Sequence, residues 1–238
     1  MPDAWHREKA ISETGITPVG MTGSSRESGD CCGTSAIDQC HDSAWYSVTR
    51  RTLDVIGSLL LLAFTFPLLL IVACLIKLDS SGPVLYRQCR VGLHGRPFTL
   101  LKFRSMRVDA EATGPCWAAN GDPRITRIGA FIRATRLDEV PQLLNVLRGE
   151  MSLVGPRPER PHFAGQLATV IPRYDERVNV LPGITGWAQI NYPYGASVAD
   201  ARAKLAFDLF YIHNRALLFD LRILLRTIPV ILFRIGAR

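Results

Sequence analysis

From Val55 to Ile76 the chain runs for 22 residues without a charge, VIGSLLLLAFTFPLLLIVACLI. A helix of that length is roughly 33 Å long at 1.5 Å per residue, and a bilayer's hydrocarbon core is about 30 Å thick. The pattern therefore predicts a membrane helix. Its distance from Met1 and its length exclude a signal peptide. Pro67 lies near its centre, where it removes a backbone hydrogen bond and favours a kink. Arg50 and Arg51 precede the segment, and Lys77, Arg87, Arg90 and Arg96 follow it. A spanning helix carries its basic excess on one side. Bases on both flanks point to a bent helix that re-enters the leaflet it came from, with a single-pass anchor as the alternative.

Beyond the apolar segment the periodicity changes. Val84 to Gln88 alternates as a short strand, and Gly92 and Gly95 mark a turn. Pro97 to Met106 reads as a second strand ending in a basic cluster. Val108 to Asp122, with Gly114-Pro115 and Asn120-Gly121, reads as a loop. Ile125, Ile128, Phe131 and Ile132 recur at helical spacing among arginines and predict an amphipathic helix to Arg136. Asp138 to Leu147 reads as a further helix. Pro141 is tolerated only near its start, which places Asp138 at or near the N-cap. Leu181 to Gln189 has the composition of a turn. Asp220 to Arg238 mixes apolar clusters with arginines, as an interfacial amphipathic helix does. The fold class expected is α/β and α-rich: a disordered polar tail (1–45), a proline-broken, re-entrant membrane helix (46–80) and a compact membrane-surface domain (81–238).

Charge sharpens this division. The chain carries a formal +7, yet its first 49 residues hold three basic and seven acidic side chains. The basic excess thus belongs to the body, which suits anionic lipid or phosphorylated substrates. A nucleic-acid partner is not expected, because neither a recognition helix nor exposed aromatics interleave the basic residues. The cysteines (Cys31, Cys32, Cys40, Cys74, Cys89 and Cys116) show no CxxC spacing, so neither a zinc site nor a disulfide framework is signalled.

The candidate chemistry lies in LDEVPQLLNVLRGEMSLVGPRPE, Leu137 to Glu159. Two adjacent carboxylates, Asp138 and Glu139, precede an apolar run and then an arginine held between prolines, Pro156-Arg157-Pro158. A carboxylate that attacks or holds a metal, with a guanidinium to receive phosphate oxygens, is the equipment of phosphoryl chemistry. The alternative is structural: Asp138 caps a helix and Glu139 complements its dipole. The repeated Arg124, Arg127, Arg133 and Arg136 read as a solvated or lipid-facing cationic face, and Trp187 as a core or interface residue before a ligand-stacking one.

The motifs resemble one family over most of the chain from Tyr46 onward. They are RTLDVIGS before the apolar helix, SSGPVLYRQCRVGLHGRPFTLLKFRSM, DPRITRIGAFIRATRLDEVPQLLNVLRGEMSLVGPRPE, YDERVNVLPGITGWAQIN, KLAFDLFYIHN and DLRILLRTI. The chain is similar to the bacterial sugar transferases, monotopic phosphoglycosyl transferases that move a sugar 1-phosphate from a UDP-sugar to polyprenyl phosphate. The resemblance implies Asp138 as nucleophile and Mg²⁺ ligand, and Glu139 in proton handling or positioning. It implies Lys102, Arg104, Arg157, Arg177 and Gln189 as substrate-binding residues. It further implies Mg²⁺ as cofactor, undecaprenyl phosphate and membrane lipid as partners, downstream glycosyltransferases, and the cytoplasmic face of the inner membrane. Phe66 departs from the family where small members often carry serine before the proline.

Overall fold

The computed structural model describes residues 44–111, 122–192, 195 and 197–233. The expected tail with its three cysteines, most of the 108–122 loop and the final residues from 234 lie outside the described residues.

Helix α1, Ala44–Asp79, takes up the apolar segment and stays helical through Pro67, so the expected break is not a break in secondary structure. Both of its ends are fastened to the body. At the N-terminal end Arg50 donates to Ser152 Oγ (2.9 Å) and to the Val154 carbonyl, while Asp54 accepts from Leu153 N at 2.9 Å. Arg51 donates to the carbonyls of Val146 and Leu147 at 2.6 and 2.9 Å. At the other end Val72 and Ile76 pack with Phe103 and Ile132. Between these anchors Leu60, Phe64, Phe66, Leu70 and Ile71 are exposed, and only 11% of the most apolar stretch is buried.

Strands β1 (Leu85–Val91) and β2 (Pro97–Phe103) pair antiparallel, from Leu85 opposite Phe103 to Val91 opposite Pro97. Helix α2, Arg127–Ala134, begins at Thr126, whose hydroxyl accepts from Gly129 N. The predicted helix from Asp138 is two elements: a 3-10 turn, Leu137–Gln142, containing Pro141, and helix α3, Leu143–Arg148. Pro141 has no N–H to donate, which disfavours the regular i to i−4 ladder at this point. Asn145, fully buried on α3, ties the helix to β2: its Oδ1 accepts from Leu101 N at 3.0 Å and its Nδ2 donates to Thr99 O at 2.7 Å. A side chain thereby satisfies part of the outer edge of β2.

Strand β3, Ser152–Val154, pairs parallel with β4, Gly183–Thr185. Leu181 to Gln189 is therefore more than the turn its composition predicts: it supplies β4 and helix α5, Trp187–Asn191. Its glycines answer to close packing of backbone on backbone. A Cβ on Gly183 would stand 2.1 Å from Gly155 N, and one on Gly155 would stand 2.5 Å from Leu181 O. Helix α4, Pro161–Val170, a 3-10 turn at Tyr174–Asn179, and helix α6, Val198–His213, complete this side of the body. Helix α7, Leu217–Leu232, buries Ile223 against Val154, Trp187 and Tyr211, and leaves Leu218, Leu221, Leu225 and Ile228 exposed on one face. Trp187 is a core residue, stacked against Phe210 and edge-on to Phe219.

Candidate functional site

The two carboxylates sit in the first turn of the 3-10 segment, both buried, at 8% and 9% exposure. The residue preceding the turn, Arg136, has φ +60°, a left-handed conformation that non-glycine residues seldom adopt. It is Arg136, and not Asp138, that occupies the cap position, and no side chain caps the turn. The helix-cap role for Asp138 is thus replaced. Among the described residues the Asp138 carboxylate has neither hydrogen bond nor ion pair, whereas Glu139 is held on two sides.

Arg157 grips Glu139 with both ends of its fork, Nη2 to Oε1 at 2.6 Å and Nη1 to Oε2 at 3.3 Å. Lys102, on β2, reaches the same Oε1 at 3.4 Å. The two carboxylates consequently differ in acidity. Burial, reinforced by the charge of Glu139, pushes Asp138 up to about 6, with Lys102, Arg133 and Arg157 pulling the other way. Burial alone would also raise Glu139, but Arg157 and then Lys102 outweigh it and hold that carboxyl well below the usual range. Burial lowers the Lys102 ammonium from its ordinary value despite the nearby Glu139. One carboxylate is fixed and permanently charged; the other is uncommitted and basic enough to matter near neutral pH.

Of the residues proposed from sequence, the structure brings Asp138, Glu139, Lys102 and Arg157 together. Arg177 stands one step behind them. It donates to Asp208 Oδ2 at 2.8 Å, to the Tyr174 hydroxyl at 2.7 Å and to the Arg157 carbonyl at 2.9 Å, so it holds the backbone that carries Arg157. Asp208, 3% exposed on α6, is a partner that the sequence reading missed, and no local motif marks it. Arg104 is engaged at another place in the fold: it donates to the Ser80 and Ser81 carbonyls at 2.7 Å each, at the C-terminal end of α1. Gln189 donates to Ile184 O at 2.9 Å, and its buried Oε1 has no partner among the described residues. Arg133 and Arg136, read from sequence as part of a solvated or lipid-facing cationic face, also pull the pKa values of the pair downward, Arg133 at Asp138 and Arg136 at Glu139.

A buried acidic pair with one free carboxylate, faced by lysine and arginine, defines a site suited to phosphoryl transfer. The chain belongs to the bacterial sugar transferase family, which matches residues 45–234. It is 43% identical over 214 residues to a UDP-N-acetylgalactosamine-undecaprenyl-phosphate N-acetylgalactosaminephosphotransferase of Aeromonas hydrophila, covering 87% of this chain and 51% of that protein. It is 46% identical over 185 residues to a UDP-glucose:undecaprenyl-phosphate glucose-1-phosphate transferase of Caulobacter vibrioides, covering 77% of this chain and 69% of the relative. An exopolysaccharide production protein, PSS, of Rhizobium leguminosarum bv. phaseoli is 45% identical over 190 residues, 76% of this chain and 94% of the relative. The chain spans about half the length of the Aeromonas protein.

Proposed function

We propose that this protein transfers a sugar 1-phosphate from a UDP-sugar to polyprenyl (undecaprenyl) phosphate, the opening step of exopolysaccharide or related glycan synthesis, and hands its product to downstream glycosyltransferases. The observation that carries this reading is the uncommitted, buried Asp138 beside a Glu139 neutralised by Arg157 and Lys102. An Asp138 oxygen attacks the phosphorus bearing the sugar, the bond from that phosphorus to the bridging oxygen of UMP breaks, and UMP leaves with the electron pair. An oxygen of polyprenyl phosphate then attacks the same phosphorus, and the Asp138 oxygen departs as carboxylate. Attack by an anion on an anionic diphosphate needs cations at hand. Arg157 and Lys102 are held where they serve, and Glu139 keeps both oriented.

The donor set also fits Mg²⁺. No cluster of three or more acidic, histidine or cysteine ligands occurs among the described residues, but this ion typically takes one or two carboxylates with phosphate oxygens and water. Asp138 would hold it, and the bound ion would offset charge on the diphosphate.

The mooring of α1 supports a re-entrant membrane arrangement. Its fully buried contacts with the body end at Ser58 and resume at Val72, which leaves ~20 Å of helix between them at 1.5 Å per residue. A hydrocarbon core is about 30 Å thick. A helix moored to one polar body at both ends, with so short a free stretch, favours the re-entrant arrangement over a full span, with the bend at Pro67. Phe64 at 85% exposure and the open apolar face of α7 would lie in lipid, with the body on the cytoplasmic face. The N-terminal residues, 1–45, would then share that side.

Purified protein incubated with polyprenyl phosphate and a panel of UDP-hexoses and UDP-N-acetylhexosamines tests the function. Release of UMP that requires both substrates for turnover is expected with one of them. Failure to release UMP from any donor, in protein shown to be folded, would reject the assignment.

A further inference from the structure

Arg157, which pairs with Glu139, has a second set of neighbours. It helps to wall a cavity of about 290 Å³, bounded by Gly92 and Gly95, by the small residues Ala164 and Gly165 of α4, and by Tyr174 and Val178 of the 3-10 turn. Arg177, which fastens the Arg157 carbonyl, lines it too, and Glu159 and Asp175 bring carboxylates to its lining. The cation expected to hold the donor's phosphates is thus also a wall of this cavity.

We propose that this cavity receives the nucleoside end of the nucleotide-sugar donor, so that Arg157 is the partition between base and reacting phosphorus. The proposal rests on the phosphosugar-transfer reading above. Size supports it: ligand pockets for drug-sized molecules run from roughly 300 to 1,000 Å³, so this volume, near the lower bound, suits one nucleoside and not a whole nucleotide sugar. The chemistry of the walls agrees. Apolar and backbone surface from Gly92, Pro156 and Val178 suits the faces of a planar base, and the Glu159 and Asp175 carboxylates are acceptors for ribose hydroxyls. Position separates the donor from the lipid acceptor. The elements packed most closely on α1 are α2, α3 and β3, whereas the cavity walls come chiefly from α4, the 3-10 turn Tyr174–Asn179 and the β1–β2 connection. A water-borne ligand therefore has this side, and the lipid phosphate approaches from the α1 side.

Gly165 gives a clean test, because it lines the cavity and a Cβ built on it meets no atom within 4 Å. Gly165→Trp adds bulk there, and glycine is the poorest helix former after proline, so the helix gains by the change. We expect UMP, titrated onto purified protein without acceptor, to bind the variant at least tenfold more weakly than wild type. KM for the UDP-sugar should rise by a similar factor, with KM for polyprenyl phosphate unchanged. Unaltered UMP affinity in a folded variant, or a rise confined to the KM of polyprenyl phosphate, would overturn the cavity assignment while wild-type UMP release upheld the reaction. Wild-type protein that neither binds nor releases UMP would remove both. Should the variant not fold, photocrosslinking of 4-thiouridine monophosphate to wild type decides: attachment within 91–95 or 161–180 supports the cavity, and attachment solely elsewhere rejects it.

Discussion

Replacing Asp138 by Asn should abolish turnover and make the protein more stable. In the folded chain the carboxyl is pushed from 3.8 up to about 6, first by burial and then by Glu139. Two pH units at 1.36 kcal/mol each correspond to about 3 kcal/mol by which ionised Asp138 burdens the fold. Because the folded value lies above the unfolded one, this penalty is absent below pH ~4, grows as pH rises through the interval, and is complete above about 6. Asparagine keeps the shape without the charge. For a body of this size each kcal/mol moves Tm by roughly 2–4 °C, so the variant should melt on the order of 5–10 °C higher at pH 8. At pH 4 the two proteins should converge. Thermal melts of detergent-purified protein at the two pH values, with a UMP-release assay alongside, give the answer. A variant no more stable than wild type at pH 8, or equally stabilised at both pH values, would refute the idea that a desolvated, uncommitted carboxylate occupies this position.

The neighbouring carboxylate should behave in the opposite sense. Glu139→Gln leaves Arg157 and Lys102 without their anion, and removing one partner of a buried pair costs about 3–5 kcal/mol. The folded value of Glu139 is depressed, so this loss should be full above its unfolded pKa and shrink in acid, as melts across pH would show, together with severely reduced turnover. The rate itself should fall in acid: kcat/KM drops about tenfold per pH unit below the Asp138 value of about 6, and a profile flat down to pH 5 would contradict the nucleophile assignment. Asn145→Leu exposes Leu101 N–H and Thr99 C=O to burial without partners, at about 1–3 kcal/mol each, and denaturant titration should register that loss. Pro67→Leu restores a helix donor and should let the N-terminal residues cross the bilayer, which cysteine labelling from outside the cell would detect; unchanged labelling and turnover would make Pro67 incidental.

Much of the site was legible because it is local in sequence. Asp138 and Glu139 are adjacent, and Arg157 follows in the same uninterrupted block, so composition and spacing exposed them. The apolar helix and the β1–β2 hairpin were legible for the same reason, since period and turn residues are local signals. What escaped depended on distant contacts. Nothing in the neighbourhood of Asp208 announces that it holds Arg177, 31 positions away, nor that Arg177 in turn holds the backbone of Arg157. The resemblance alone implied Arg104 as a substrate-binding residue, and no local pattern foretold that both its Nη atoms donate to the Ser80 and Ser81 carbonyls just after α1. Leu181 to Gln189 reads as a turn by its proline and glycines, and only the parallel partner strand shows why those glycines are needed. The 3-10 geometry at Leu137–Gln142 also lay beyond the pattern, because proline near a helix start is compatible with a regular first turn.

The central claim is that Asp138 carries the phosphosugar between donor and acceptor. Mass spectrometry of peptides from wild-type protein, quenched after incubation with its UDP-sugar in the absence of polyprenyl phosphate, tests it most directly. One phosphosugar should be found on Asp138, formed with one equivalent of UMP and discharged when polyprenyl phosphate is added. An adduct on any other residue, or full turnover with no adduct trapped and with activity retained by Asp138→Asn, would contradict it.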